Sequence, residues 1–388
     1  MGDRGPEALD RPQKNFYIYG RKYYTCDVTS RAGTRMRLVP VAVAAGAALV
    51  VASWAGLVRI GLRLGSPPIA IHGPLMILGF LGTVISLERA VGLGKSWAWS
   101  APIASAVAVS MLLLGADRVG LFLLLLAGIL LCAIYGAALA IGRWPAYLVV
   151  EALGSVAWLV AVGALLVERV VVRALPAMAA FLVLTIVGER LELSRMGPGN
   201  TPARRWAVVV AAMAVLAASV VAVWHPVAGA RVSGACLVVL AATSMAGDIA
   251  LRTIRRGGLT SYMAAAILAG YAWLALAGAL WAGNGLLAGT ASYDPSIHTL
   301  FVGFVLSMIL AHAPVIVPAV AGIQLPFRRS WWAPLVLLHV TLAVRVVGAV
   351  VGAAPVKMWG GVGNVAALAL FIALAAASGA SAAREARA

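Results

Sequence analysis

Charged residues are scarce in this chain of 388 residues: 11% are Asp, Glu, Lys or Arg, whereas 63% are apolar. A soluble core cannot absorb that much apolar surface, so the composition excludes an ordinary water-soluble domain and predicts a polytopic membrane protein. Acids are scarcer than bases, 13 against 30, which gives a formal charge of +17. In membrane proteins such an excess is typical of cytoplasmic loops, so it does not indicate nucleic-acid binding.

Cysteine is nearly absent. The three cysteines, Cys26, Cys132 and Cys236, are far apart in the sequence, and none belongs to a CxxC motif. This spacing indicates neither a disulfide framework nor a thiolate metal site.

The first 36 residues also lack something, namely the apolar middle region and cleavage site of a signal peptide. They are polar, basic and rich in tyrosine, so we expect residues 1–36 to form a cytoplasmic N-terminal tail. A misjudged start, with Met36 as the true first residue, is the alternative. Residues 37–388 are expected to form a single transmembrane domain.

Long apolar runs fill the remainder of the chain. A membrane-spanning helix needs about 20 predominantly apolar residues. Twelve segments meet this requirement, and short polar, Gly- and Pro-containing breaks separate them. The predicted spans are 38–60, 68–87, 97–116, 119–142, 146–167, 174–192, 206–224, 231–250, 262–283, 296–321, 332–352 and 358–378. The sequence therefore predicts an all-α, twelve-helix transmembrane bundle.

Lysine and arginine set the orientation of the bundle. With the N-terminus inside, 22 of them fall on the inner side and 7 on the outer side, with Arg345 left inside a helix. Positive residues concentrate on the cytoplasmic side of membrane proteins. Both termini are therefore predicted to be cytoplasmic, in a multi-pass protein of the plasma (inner) membrane.

Histidine is also rare, yet four of the five histidines lie in apolar segments. His72 and His298 open the second and tenth segments near the outer face. His312 lies about 21 Å deeper than His298, and His339 lies about 10 Å in from the inner boundary of the eleventh segment. The sequence thus predicts two depth-matched pairs, His72 with His298 and His312 with His339, while His225 falls in an outer loop.

An ionisable group within the bilayer is costly and usually faces a cavity, a partner or a metal. Neutral imidazole is a common ligand of haem iron and of copper. We therefore predict His72, His298, His312 and His339 as metal and cofactor ligands; structural hydrogen bonds to neighbouring carbonyls are the alternative. Arg345, two helical turns beyond His339, is predicted to meet a haem propionate or, alternatively, a buried acid.

The second and tenth segments resemble each other. Each begins with Ile-His and carries a Gly-Phe pair, at residues 79–80 and 303–304. Such glycines would let a flat macrocycle approach the helix, although ordinary helix packing is the commoner reason for them. In a regular α-helix, His298 and His312 would lie about 40° apart and face one side.

The carboxylates invite a structural interpretation. The pairs 88–89 and 189–190, both Glu-Arg, end outside-to-inside segments and are expected to be interfacial anchors, with a proton or quinone site as the alternative. Glu151 and Asp248 lie close to a membrane surface, where an acid is expected to extend to water, with a place in an ion pathway as the alternative. The sequence assigns no catalytic residue.

The sequence HGPLMILGF at the start of the second segment, together with HTLFVGFVLSMILAHAPVIVPAV and LHVTLAVRVVG, resembles the NnrS family of haem- and copper-containing membrane proteins. These proteins look like distant relatives of haem–copper oxidase subunit I. The chain departs from the oxidase pattern, since it has neither adjacent histidines on the seventh helix nor a close histidine pair on the tenth. The resemblance implies haem, expected to be of b type, with copper as a further expectation.

These observations predict a haem-binding membrane protein acting in nitric oxide response or electron transfer. Its expected partners are the lipid bilayer and either a redox protein or nitric oxide. Two alternatives remain open. One is a cytochrome b-like carrier with two haems, and the other is a secondary transporter without a cofactor, in which Pro314 and Pro318 break the tenth helix.

Overall fold

The computed structural model describes residues 16–18, 21–23, 28–142, 144–195, 197, 199 and 201–385. Most of the predicted N-terminal tail lies outside the described residues. Within the described part of the tail, strand β1, Phe16–Ile18, pairs antiparallel with strand β2, Arg21–Tyr23.

Twelve helices in the described residues are long and apolar enough to cross a membrane. We label them α1 to α12 in chain order. They are Val28–Arg59, Ile69–Leu93, Ser96–Leu113, Asp117–Leu139, Ala146–Glu168, Val171–Leu193, Pro202–Trp224, Pro226–Ala246, Gly258–Asn284, Tyr293–Ala321, Arg329–Val350 and Ala354–Glu385. Each overlaps one predicted segment, so the prediction of an all-α, twelve-helix bundle is confirmed.

Local sequence signals mark the helix ends. Thr201 caps the start of α7, where its side chain accepts a hydrogen bond from the main-chain N–H of Arg204 at 3.2 Å. Pro226 occupies the first turn of α8, where the missing N–H costs nothing. Gly94 and Gly322 end α2 and α10 in the left-handed conformation, which glycine adopts without strain.

Helix α6 lies at the centre of the bundle. Of its most apolar stretch, 83% is buried inside the protein, whereas the other spans bury between 22% and 61%. It packs against α2, α5, α7, α8 and α10, and contact between α1 and α12 closes the surrounding ring. Side chains on α6 are therefore shielded from lipid on almost every side.

Trp158 on α5 shows how small residues bring the helices together. Its indole is fully buried and donates a hydrogen bond to the carbonyl of Leu124 on α4 at 2.9 Å. The ring lies directly against Gly82 on α2 and Gly128 on α4, where any Cβ would collide with it. Glycine at these positions lets three helices meet around one large side chain.

Helices α2 and α10 share an unusual local geometry. In each, a π-helical segment follows the outer histidine, over Leu75–Leu81 in α2 and Thr299–Leu306 in α10. Each π-helical segment contains the Gly-Phe pair noted in the sequence. Such segments are rare, and they often occur at functional sites.

Candidate functional site

The outer end of α2 positions His72 against α1. The Nδ1 atom of His72 lies 2.7 Å from the carbonyl oxygen of Ala52, so Nδ1 carries the proton and donates it. A Cβ at Gly56 would come within 2.8 Å of the imidazole, which shows how closely the ring packs on α1. Among the described residues, Nε2 of His72 has no hydrogen-bond partner, so its lone pair is available.

His298 takes the same form at the outer end of α10. Its Nδ1 donates to the main-chain carbonyl of Asp294 at 2.9 Å, and its Nε2 accepts from Nη2 of Arg345 at 3.0 Å. Arg345 also binds the Asp294 carboxylate through two atoms, at 2.9 and 2.8 Å. Arg345 therefore pairs with an acid of the same chain, Asp294, whose side chain is 22% exposed.

The two outer histidines belong to one neighbourhood. His72 lies close enough to His298, Arg345 and Arg59 to interact with them electrostatically. Its helix, α2, and α10 both pack on the central helix α6. The structure therefore brings together three of the predicted cofactor-binding residues, His72, His298 and Arg345.

His312 is buried at the inner end of α10 among polar groups of other helices. Its Nδ1 donates to the carbonyl of Met308 at 2.7 Å, and its Nε2 accepts from Arg190 on α6 at 3.3 Å. Arg190 in turn binds Asp248 through two hydrogen bonds, of 3.0 and 2.6 Å. Tyr271 on α9 donates to the same carboxylate at 3.1 Å.

His339 on α11 has both ring nitrogens engaged. Nδ1 accepts from the indole N–H of Trp273 at 2.9 Å, and Nε2 lies 3.2 Å from the hydroxyl of Ser307. Since the indole only donates, Nε2 of His339 carries the proton and donates to Ser307. His339 and His312, the predicted inner pair, thus have separate hydrogen-bond partners.

The angle of about 40° expected between His298 and His312 does not apply to α10 as it is built. It assumed a regular α-helix, whereas the π-helical segment lies between the two residues and changes the angle between them. His298 contacts α11, and His312 contacts α6.

The glycines of the π-helical segments lie against side chains. A Cβ at Gly303 would come within 2.6 Å of Cβ of Trp273, and one at Gly79 within 3.1 Å of Leu75. Ordinary helix packing therefore accounts for both glycines, and neither offers the open face that a macrocycle needs.

A second group of buried charges surrounds Arg89 near the inner end of α2. Its guanidinium binds Glu88 at 3.1 Å, Glu151 on α5 at 3.1 Å and Glu189 on α6 at 2.5 Å. We call these four residues the acid cluster. The side chains are 3% (Arg89), 18% (Glu88), 0% (Glu151) and 13% (Glu189) exposed.

These contacts correct two expectations about the carboxylates. The Glu-Arg pairs are not interfacial anchors, because both arginines are buried: Arg89 binds Glu151 on α5, and Arg190 binds Asp248 in the connection between α8 and α9. Glu151 and Asp248 do not extend to water, since both side chains are 0% exposed. A buried arginine partner allows each acid to stay inside the bundle.

Several partners of the predicted residues went unrecognised in the sequence. Asp294 lies four residues before His298, a spacing that places both on one helix face and could have been noticed. Trp273, Ser307 and Tyr271 carry no such signal, because they reach His339 and Asp248 from other helices.

Among the residues that the structure describes, no group of three or more His, Cys, Asp or Glu side chains could hold a metal ion.

Comparison with known proteins identifies the family of this chain. Residues 37–380 match the family described as "Domain of unknown function (DUF8744)". No curated protein and no solved structure matches the chain. Since the match extends over most of the sequence, from α1 to α12, the chain belongs to the DUF8744 family.

Proposed function

We propose that this protein is a haem-binding protein of the plasma membrane, acting in electron transfer or in the response to nitric oxide. His72 and His298 would hold the haem iron near the outer face, between α2 and α10. The resemblance of these two helices to NnrS-type sequences supports the same proposal.

One observation carries the proposal. His72 and His298 each donate Nδ1–H to a main-chain carbonyl, at 2.7 and 2.9 Å, which directs the lone pair of Nε2 away from the helix. Metal-bound histidine typically makes this second hydrogen bond, because it fixes the tautomer and the orientation of the ring. Two such imidazoles in one neighbourhood are the kind of donor that haem iron takes, and Nε2 of His298 would bind the iron in place of its hydrogen bond from Arg345.

Arg345 has a defined role in this proposal. Its Nη2 lies 3.0 Å from Nε2 of His298 and forms a hydrogen bond with it. A cation at this position can pair with a carboxylate of a bound haem. Asp294 holds the guanidinium on its other side. Haem, when bound, supplies an iron that exchanges one electron or binds a small gas such as nitric oxide.

The inner histidines support a second haem less well. Nε2 of His312 accepts from Arg190, as Nε2 of His298 accepts from Arg345, but both ring nitrogens of His339 have partners. Within the described residues, the inner pair therefore has no imidazole with a free nitrogen, whereas the outer pair has Nε2 of His72. A transporter with a broken tenth helix also gains no support, because α10 is helical through Pro314 and Pro318. We therefore propose one haem, bound by His72 and His298, and propose neither copper nor a second haem.

The test is the absorption spectrum of protein expressed with ample haem. We expect a Soret band that both His72→Ala and His298→Ala abolish. His225→Ala is the matched control, because His225 lies in the loop between α7 and α8, and it should leave the band unchanged. A wild-type protein without a Soret band, or a full band in either outer variant, would refute the proposal.

A further inference from the structure

The acid cluster around Arg89 holds more negative charge than its cation balances. Three carboxylates, on Glu88, Glu151 and Glu189, share one guanidinium. Glu192 acts electrostatically on Glu151, and Arg195 acts on the neighbouring Tyr147. These two add one charge of each sign, so the excess among the described residues remains two negative charges. The neighbouring Tyr147 adds none as a neutral phenol. Uncompensated charge of this size is strongly disfavoured in a buried site.

Glu151 is the most deeply buried acid of the cluster. Its Oε2 accepts from Arg89 at 3.1 Å, whereas its Oε1 is buried and has no hydrogen-bond partner among the described residues. An unpaired buried carboxylate oxygen is costly, and protonation of the acid removes most of that cost.

The helices around Glu151 are built to enclose it. Gly188 on α6 lies directly against Cγ of Glu151, and a Cβ there would also come within 2.9 Å of the Tyr147 carbonyl. This glycine allows α5 and α6 to approach closely enough to bury the acid. Glu88 and Glu189 share Arg89 with Glu151 and are more exposed, at 18% and 13% against 0%.

From these observations we propose that the acid cluster is a proton-binding site, in exchange with the cytoplasm and with the bound proton on Glu151. Glu88 and Glu189 are the partly exposed acids through which the proton enters. On uptake an O–H bond forms at Oε1 of Glu151 and one O–H bond of a hydronium ion breaks, which leaves water; no electron moves. This site does not depend on the proposed haem, which lies at the opposite end of α2.

Infrared spectroscopy of the full chain in phosphatidylcholine vesicles tests the proposal at pH 7. We expect the carbonyl stretch of a protonated carboxylic acid, shifting when H₂O is replaced by D₂O, and we expect Glu151→Gln to abolish it. The matched control is Glu168→Gln, at the outer end of the same helix, where the acid is 27% exposed and pairs with Arg173. That variant should keep the band.

Three outcomes would overturn the proposal. The first is a wild-type spectrum without the band, and the second is a band that persists in Glu151→Gln. The third concerns folding, because glutamine has the shape of a protonated glutamate. If Glu151→Gln fails to fold while Glu168→Gln folds, the site needs a carboxylate and not a bound proton.

A sodium ion could supply the missing positive charge instead, so the spectrum is repeated with choline replacing sodium. We expect the same band in both buffers. A band that appears only without sodium would show that the cation, and not the proton, occupies the cluster. None of these results depends on a Soret band, so the haem and proton proposals fail separately.

Discussion

Neutralising Asp248 tests how far the fold depends on the ion pair at the inner end of α6. The carboxylate is fully buried, binds Arg190 through two atoms and accepts a third hydrogen bond from Tyr271. In Asp248→Asn the arginine stays charged and buried but loses its counter-ion. Breaking a buried pair from one side costs about 3–5 kcal/mol, because the remaining charge is uncompensated.

This loss converts into a measurable change in melting temperature. With an unfolding entropy of about 2.1 cal/mol/K per residue over 388 residues, it corresponds to a decrease of about 4–6 °C. Thermal unfolding in detergent can be followed by intrinsic fluorescence, since the chain has 12 tryptophans. Glu168→Gln provides the control, because its exposed pair with Arg173 should contribute less than about 1 kcal/mol.

The double variant Arg190→Met, Asp248→Leu separates the charge effect from a general loss of packing. Removing both charges leaves no unpaired ion, although Tyr271 loses its acceptor, so the melting temperature should lie between those of Asp248→Asn and the wild type. A double variant as unstable as Asp248→Asn would refute the reasoning. So would an Asp248→Asn protein that melts at the wild-type temperature.

Two further predictions concern packing and the outer histidine. Gly82→Ala should destabilise the protein by about 1–3 kcal/mol, because its methyl group collides with the buried ring of Trp158. Gly136→Ala is the control for the melting comparison. A Cβ at Gly136 meets nothing within 4 Å, so this variant should be neutral or stabilising. Equal melting temperatures for the two variants would contradict the packing described. Asp294→Asn should lower stability by about 1.5–3 kcal/mol through the lost charged hydrogen bonds, yet keep the Soret band, since His298 is held by the main-chain carbonyl. Loss of the band in that variant would show that the carboxylate positions the ring.

Hydropathy predicted all twelve helices because a spanning segment needs only length and apolar composition, both of which are local properties. The contacts of the histidines are not local. Arg190 reaches His312 across 122 residues of sequence, and Trp273 reaches His339 across 66. The packing around α6 determines which helices touch. These contacts could not be predicted from a single sequence.

The acids were misjudged for a related reason. Depth along the helix places Glu151 within reach of water, but the neighbouring helices decide whether water reaches it. Gly188 and the three helices α2, α5 and α6 close the site, and Arg89 supplies the charge that keeps the acid inside. Depth alone could not distinguish an acid at the membrane surface from one enclosed by neighbouring helices.

The π-helical segments of α2 and α10 have a consequence for how such proteins can diverge. Each accommodates one residue more than a regular α-helix would over the same turn. Deleting a single residue from Leu75–Leu81 would restore α-helical geometry and leave the angle between His72 and Glu88 nearly unchanged, because the π-helical turn already absorbs the extra residue. One codon could thus be lost or gained within this segment without turning the outer end of the helix away from the inner end.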